Sequence, residues 1–193
     1  MSTFTTQSVK TTLVRGGVAG MIAGGVMAMF AMVASVTYQH HGFFTPLLHI
    51  SALFGSPEAM MRSANEAMSG NKFWFAAGPA ALGLLIHMVM GAMLGVGFAF
   101  LARRIPRSAL VPAGAAFGLA VFVASASVGL RVASKITNSG SVISEMADIV
   151  GRATFLAEHL AFGVVLGILA LRSATTNQPT ATMVGARSAM LSR

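Results

Sequence analysis

Four stretches of this chain are apolar on nearly every side, at residues 16–37, 77–101, 109–130 and 153–171. A soluble amphipathic helix keeps a polar face, and none of these runs leaves room for one. Each is long enough to cross about 30 Å of hydrocarbon at about 1.5 Å per residue. The pattern predicts an all-α polytopic membrane fold with four transmembrane helices, in a single domain over residues 1–172 followed by a polar tail over 173–193. Backbone polar groups in lipid must be satisfied within the segment, which a helix does.

A second pattern lies inside the apolar runs. His87-x-x-x-Gly91-x-x-Leu94-Gly95 recurs 72 residues later as His159-x-x-x-Gly163-x-x-Leu166-Gly167, with Leu84 falling on Leu156. Each copy follows a span rich in glycine and alanine, so the chain reads as two helical hairpins in tandem. An even number of crossings per unit keeps both copies in the same orientation, related by a pseudo-twofold axis along the membrane normal. Glycines at four-residue spacing, Gly16, Gly20 and Gly24 in the first span and Gly114 and Gly118 in the third, join Gly91, Gly95, Gly163 and Gly167 as helix-packing positions. In lipid, small residues let helix backbones approach closely.

The loops are unequal. The first, 38–76, contains Phe43-Phe44-Thr45-Pro46-Leu47, which predicts a turn and then a short helix from Pro46 to Gly55, too short to span and placed at the interface. Ser56 and Pro57 are N-cap and first position of a second short helix reaching Met68. Trp74, between Phe73 and Phe75, fits an interfacial anchor. The second loop, 131–140, reads as short and polar, with the fourth helix starting as early as Ser141. Such a helix would carry Glu145, Asp148 and Arg152 on one face.

Composition agrees with the pattern: hydrophobic residues make up 55% of the chain, charged residues 9%, and mean hydropathy is +0.75. Charge supplies orientation. Lys10, Arg15, Arg103, Arg104, Arg107, Arg172, Arg187 and Arg193 fall on one side without an acidic residue, whereas Arg62, Lys72, Arg131, Lys135 and Arg152 share the other with all five acids. This places both termini in the cytoplasm. The net charge of +8 lies in short juxtamembrane clusters, which fit anionic headgroups rather than nucleic acid. Cysteine is absent, so thiolate metal sites and disulfides are excluded. The first apolar run is too long for a signal-peptide core and is expected to remain as an anchor.

The chemistry concentrates on a few side chains. A histidine in a bilayer needs a partner, and three readings of His87 and His159 stand side by side: a hydrogen bond to a neighbouring helix at Ser125, Ser127 or a backbone carbonyl, a pair of axial ligands for haem b, or metal or proton chemistry. A haem would require the two histidine helices to diverge above their crossing, or the glycine stripes beside the histidines to pack on the first and third spans. Glu158, adjacent to His159, is a candidate proton or ion site, or else snorkels to the surface. Arg152 is a partner for it only if the fourth helix extends upward. His40, His41 and His49, with nearby methionines, raise copper on ligand softness but show no recognised ligand spacing. No nucleophile elbow, paired-histidine zinc helix or phosphate loop occurs in the sequence.

In its paired His-x-x-x-Gly-x-x-Leu-Gly segments and its Phe44-Thr45-Pro46-Leu47 entry, the chain resembles small four-helix bacterial inner-membrane proteins grouped as domains of unknown function, over about residues 16–172. The resemblance implies a bacterial inner membrane and no particular activity. The polar tail has no visible reason to order in an isolated protein, so an ordered tail implies a partner. The leading expectation is therefore a non-catalytic accessory or assembly subunit that contacts membrane lipid and other integral membrane subunits. An electron-transfer subunit with haem b or a metal is the alternative, and a small-solute or ion carrier the third. A carrier would be supported by a break within a span, which neither Pro79 nor Pro112 supplies because both lie near helix ends.

Overall fold

The structure, a computed structural model, describes residues 6–176. The remainder of the polar tail, including Arg187 and Arg193, lies outside the described residues, as does the ordering on which the expected partner depended. Among the described residues every regular element is helical. Helix α1 spans Thr6–Thr37, α2 Thr45–Ser51, α3 Glu58–Met68 and α4 Ala77–Ala102. After a single 3-10 turn at Arg107–Ala109 come α5 (Leu110–Ala124), a π turn (Ser125–Gly129) and α6 (Leu130–Thr137). Short helices α7 (Gly140–Ser144) and α8 (Met146–Ile149) precede α9 (Arg152–Thr176). Four continuous segments, Val9–Thr37, Ala77–Ala102, Arg107–Thr137 and Arg152–Ser173, are long and apolar enough to cross a membrane.

The helix ends differ from the sequence expectation where polar residues were taken for loop. Helix α1 is already formed at Thr6, the first described residue, ten residues before Gly16, because neither glycine nor proline interrupts Gln7 to Val14. The third span continues past Leu130 through Thr137 for the same reason, so Arg131 and Lys135 lie on helix rather than in a loop. It stops at Asn138 in the left-handed conformation (φ 56°), a residue type that tolerates it at a helix C-terminus. The fourth helix does not begin at Ser141. Gly151, at φ 89°, breaks the chain between α8 and α9, and only Arg152 and Asp148 remain joined, Nε to Oδ1 at 2.6 Å. The short helix expected from Pro46 ends at Ser51, not Gly55. Helix α3 begins at Glu58 with Pro57 in the N-cap position, one residue later than expected, and Ser56 Oγ accepts the Glu58 N–H at 3.1 Å from just outside the helix.

Two glycine seams hold the long helices. Along α1 and α4, a Cβ added to Gly20 would overlap the Gly91 carbonyl, and one added to Gly16 would lie 2.9 Å from the Val96 Cα. Along α5 and α9, a Cβ on Gly114 or Gly163 would overlap the other's carbonyl oxygen, and one on Gly167 would lie 2.8 Å from the Val111 Cα. Backbones this close gain dispersion and weak Cα–H contacts that a larger side chain would forbid. Helix α1 also packs along α9, while α4 and α9 scarcely meet. A core of Ala23, Phe98, Phe162 and Leu166 fills the end where the chain enters α1, and a second of Ala52, Ile143, Met146, Ala147 and Phe155 fills the opposite end.

That opposite end carries a cap. Helix α2 buries Leu47, Leu48 and His49, and lies against α4 where Gly83 leaves no room for a Cβ beneath the Leu47 carbonyl. The cap is sewn to itself by Thr45 and Ser63 hydroxyls 2.9 Å apart and by Phe43 N–H to the Lys72 carbonyl at 2.8 Å. Arg62 stacks 4.9 Å over Trp74. To the other half it is tied by Tyr38 and Thr154 hydroxyls at 2.7 Å and by Gln39 Nε2–H to the Val150 carbonyl at 2.6 Å.

Candidate functional site

Beneath the cap, between the two seams, lies a cavity of about 330 Å³. Its walls are almost wholly apolar, and its polar side chains include His49, His87, Glu158 and His159. Three of the five histidines thus share one space with one of the five acids, although His49 sits far from the others in sequence.

His87 reaches from α4 to α1, where its Nε2 lies 2.9 Å from the Gly24 carbonyl oxygen. A carbonyl only accepts, so the ring proton is on Nε2. Gly24 makes room: a Cβ there would sit 3.7 Å from the imidazole. His159, 5% exposed, places its Nδ1 2.6 Å from the Phe155 carbonyl of its own helix, and the Phe155 ring lies 4.4 Å from the imidazole, centroid to centroid. The matched sequence positions therefore do not become matched rings, since His87 donates from Nε2 and His159 from Nδ1. The interhelix hydrogen bond expected of both is made by His87 alone, and to a backbone carbonyl rather than to Ser125 or Ser127. The glycine stripes do pack on α1 and α5, as a haem would require, but His87 spends on Gly24 the nitrogen that an axial ligand on a helix offers. Haem b has no pair of free, equivalent imidazole nitrogens here.

His49 donates from Nε2 to the Val142 carbonyl at 2.7 Å. Burial pushes its imidazole below the ordinary value of 6.5, against the raising effect of that bond and with a small further lowering from His41. His40 is exposed and sits at φ 60°. Among the described residues no three His, Asp or Glu side chains gather as a metal site, so His40, His41 and His49 are not brought together for copper. His49 is instead the rivet between α2 and the second half of the cap.

Glu158 is 5% exposed and its Oε1 has no hydrogen-bond partner. It does not snorkel, and Arg152 does not reach it, being bound to Asp148. An unpaired buried carboxyl is rare because the group loses its hydration without compensation. It lies on the cavity wall.

The π turn at Ser125–Gly129 is the feature that sequence reasoning missed, having found no break within a span. It is defined by the Leu130 N–H bonding to the Ser125 carbonyl, five residues back instead of four. Ser127 Oγ–H bonds the Val123 carbonyl and an Arg131 N–H bonds the Ser127 carbonyl, which satisfies groups loosened by the irregular ladder. Ser125, Gly129 and Leu130 line the cavity. The only hint in the sequence is the small-residue run Ser125-Ala126-Ser127-Val128-Gly129. No family model matches the chain, and no curated protein or solved structure matches it.

Proposed function

We propose that this chain is a membrane carrier which binds a small, largely apolar cation between two helical hairpins and exchanges it for a proton at Glu158. The observation that carries the reading is the buried carboxyl with an unpartnered oxygen on the wall of a largely apolar cavity. A lone negative charge is costly in the bilayer, so the site is electrically complete only with a proton or a cation on Glu158. One leaves as the other arrives, and the bound complex stays neutral in both states. The cavity volume is at the small end for organic ligands, and its apolar walls suit a hydrocarbon or aryl body with an ammonium head.

The same reading takes the two glycine seams as copies of one hairpin and the π turn as a break within a span of the kind that supports a carrier. It puts the arginine-rich end and both termini in the cytoplasm of a bacterial inner membrane, with α2 and α3 in the outer interface. The accessory-subunit role gains no observation of its own, because the tail that suggested it is outside the described residues.

The test is uptake of benzyltrimethylammonium into proteoliposomes with an acidic interior, a probe whose fixed charge prevents leakage as a neutral amine. Uptake should follow the proton gradient, vanish in Glu158→Gln and persist in part in Glu158→Asp. Uptake equal to that of empty liposomes, or unchanged by Glu158→Gln, overturns the proposal.

A further inference from the structure

The three histidines on the wall of the cavity beneath the cap have all committed their ring proton elsewhere. His49 gives it to the Val142 carbonyl at 2.7 Å, His87 to Gly24 at 2.9 Å and His159 to Phe155 at 2.6 Å. A neutral imidazole has one N–H donor and one lone-pair nitrogen, so each ring has only a lone pair left to offer a ligand. Gln39, also on the wall, has committed an amide hydrogen to the Val150 carbonyl. Among the described residues no three His, Asp or Glu side chains gather as a metal site, so these lone pairs do not describe a metal centre. They suit a ligand that brings its own hydrogen-bond donors.

His159 is the best placed of the three. Its Nδ1 is tied to the backbone of its own helix, and because the two ring nitrogens flank a single carbon on opposite sides, Nε2 is turned away from that backbone. The Phe155 ring at 4.4 Å and the Phe122 ring at 6.1 Å brace the imidazole, and a braced acceptor discriminates better than a mobile one. Glu158, its neighbour in the chain, lines the same cavity. We propose that His159 Nε2 accepts a hydrogen bond from the bound cation, so that the preferred ligand is a protonated amine with two N–H groups, one for the Glu158 carboxylate and one for His159. The inference rests on the carrier reading and narrows its substrate class. A secondary ammonium supplies both hydrogens. A tertiary ammonium has one, which Glu158 takes, and a quaternary ammonium is held by its charge alone. A site that hydrogen-bonds a ligand N–H disfavours the analogue lacking it, because the acceptor is then left unpaired.

The test is displacement of radiolabelled benzyltrimethylammonium from the protein in neutral detergent, at a pH at which the competing amines are charged. The competitors are N-methylbenzylammonium and N,N-dimethylbenzylammonium, which differ by one methyl in place of one N–H. The parent should bind the first about tenfold more tightly than the second. In His159→Phe, which keeps an aromatic ring without the acceptor, that preference should disappear, and in His159→Gln, whose side-chain carbonyl accepts, part of it should remain. Should the variants fail to fold, the preference in the parent decides. A parent that does not distinguish the two competitors overturns the proposal, as does a preference that survives in His159→Phe. In either case, binding of the label that Glu158→Gln abolishes leaves the carrier reading standing. No displaceable binding of the label by the parent, or binding unchanged by Glu158→Gln, overturns that reading and the role of His159 with it.

Discussion

Along α1 and α4, Gly20 rides against Gly91 and His87 crosses the seam to Gly24. Along α5 and α9, Gly114 rides against Gly163, yet His159 turns back to Phe155 of its own helix. The difference arises one turn beyond the shared glycine contact. A Cβ on Gly24 would meet an imidazole at 3.7 Å, so the first seam has opened there enough to admit a ring. A Cβ on Gly118 would overlap the His159 carbonyl itself, so the second seam remains closed. A ring cannot cross a closed seam. The first histidine is consequently a tie between helices, whereas the second is left on the cavity wall beside Glu158.

If the seams are equivalent in construction, they should fail alike. Gly20→Leu and Gly114→Leu each drive a side chain into a backbone carbonyl that cannot move aside, and each should cost at least about 3 kcal/mol. Thermal unfolding in detergent should show neither variant folding as the parent does. Gly25→Ala and Gly97→Ala, where an added Cβ meets nothing within 4 Å, should leave the midpoint unchanged. Tolerance at one seam and collapse at the other would show that the likeness is superficial.

The next effect sets the second half apart. Glu158 keeps a buried oxygen without a partner, and an unsatisfied buried polar group costs about 1–3 kcal/mol. Glu158→Met fills a similar volume without that loss, so it should raise stability by about this amount while abolishing cation uptake. The corresponding position in the first half, Ile86, is already apolar, and Ile86→Met should change stability by less than about 1 kcal/mol. A destabilised Glu158→Met would mean that the carboxyl has a partner after all and serves packing.

The parts of this arrangement that could be read in the sequence are those set by one segment at a time. The spans follow from unbroken apolar runs, and the seams from glycines every fourth residue, because both depend only on helix geometry. What two segments decide together was not readable. Gly83 has no glycine partner at that spacing, and it is small because the Leu47 carbonyl of α2 arrives there from the preceding loop. Glu158 and His159 diverge by about 100° around a helix, so only the placement of neighbouring helices brings both to one cavity. The π turn is a choice of i+5 over i+4 bonding across Ser125 to Gly129, which the apolar pattern does not record. His49 looked like a metal ligand because the carbonyl it meets lies 93 residues away.

His49 also joins the two halves at the cap, and pH tests that joint. Burial holds its folded-state affinity for a proton below that of the unfolded chain. Well above pH 6.5 His49 is unprotonated in both states and adds no pH dependence. As pH falls through 6.5 the unfolded chain takes up a proton that the folded protein refuses, so stability declines until the folded value is reached. The slope is bounded by one proton, about 1.4 kcal/mol per pH unit. Asp148 acts in a lower window: its hydrogen bond with Arg152 holds the carboxyl below 3.8, so its contribution is present above that value and is lost only as pH falls beneath it. Melting midpoints from about pH 8 to about pH 5 should therefore decline less in His49→Gln than in the parent. A decline as steep in His49→Gln as in the parent would assign the titration to other groups and leave the joint at the cap indifferent to pH.

The smallest effect is the sharpest test of the asymmetry itself. Interhelix hydrogen bonds in membranes average about 0.6 kcal/mol and reach about 1.7. His87→Leu removes such a bond and should cost an amount in that range. His159→Leu removes a bond that lies within a single helix, where the Phe155 carbonyl keeps its place in the backbone ladder, and should cost close to nothing. Measured together as chemical unfolding in mixed micelles, the two substitutions should differ in the free energy of unfolding while leaving the dependence on denaturant the same. Equal costs would mean that His159 also ties two helices together in the membrane, and that the second seam opens, as the first does, to let a ring across.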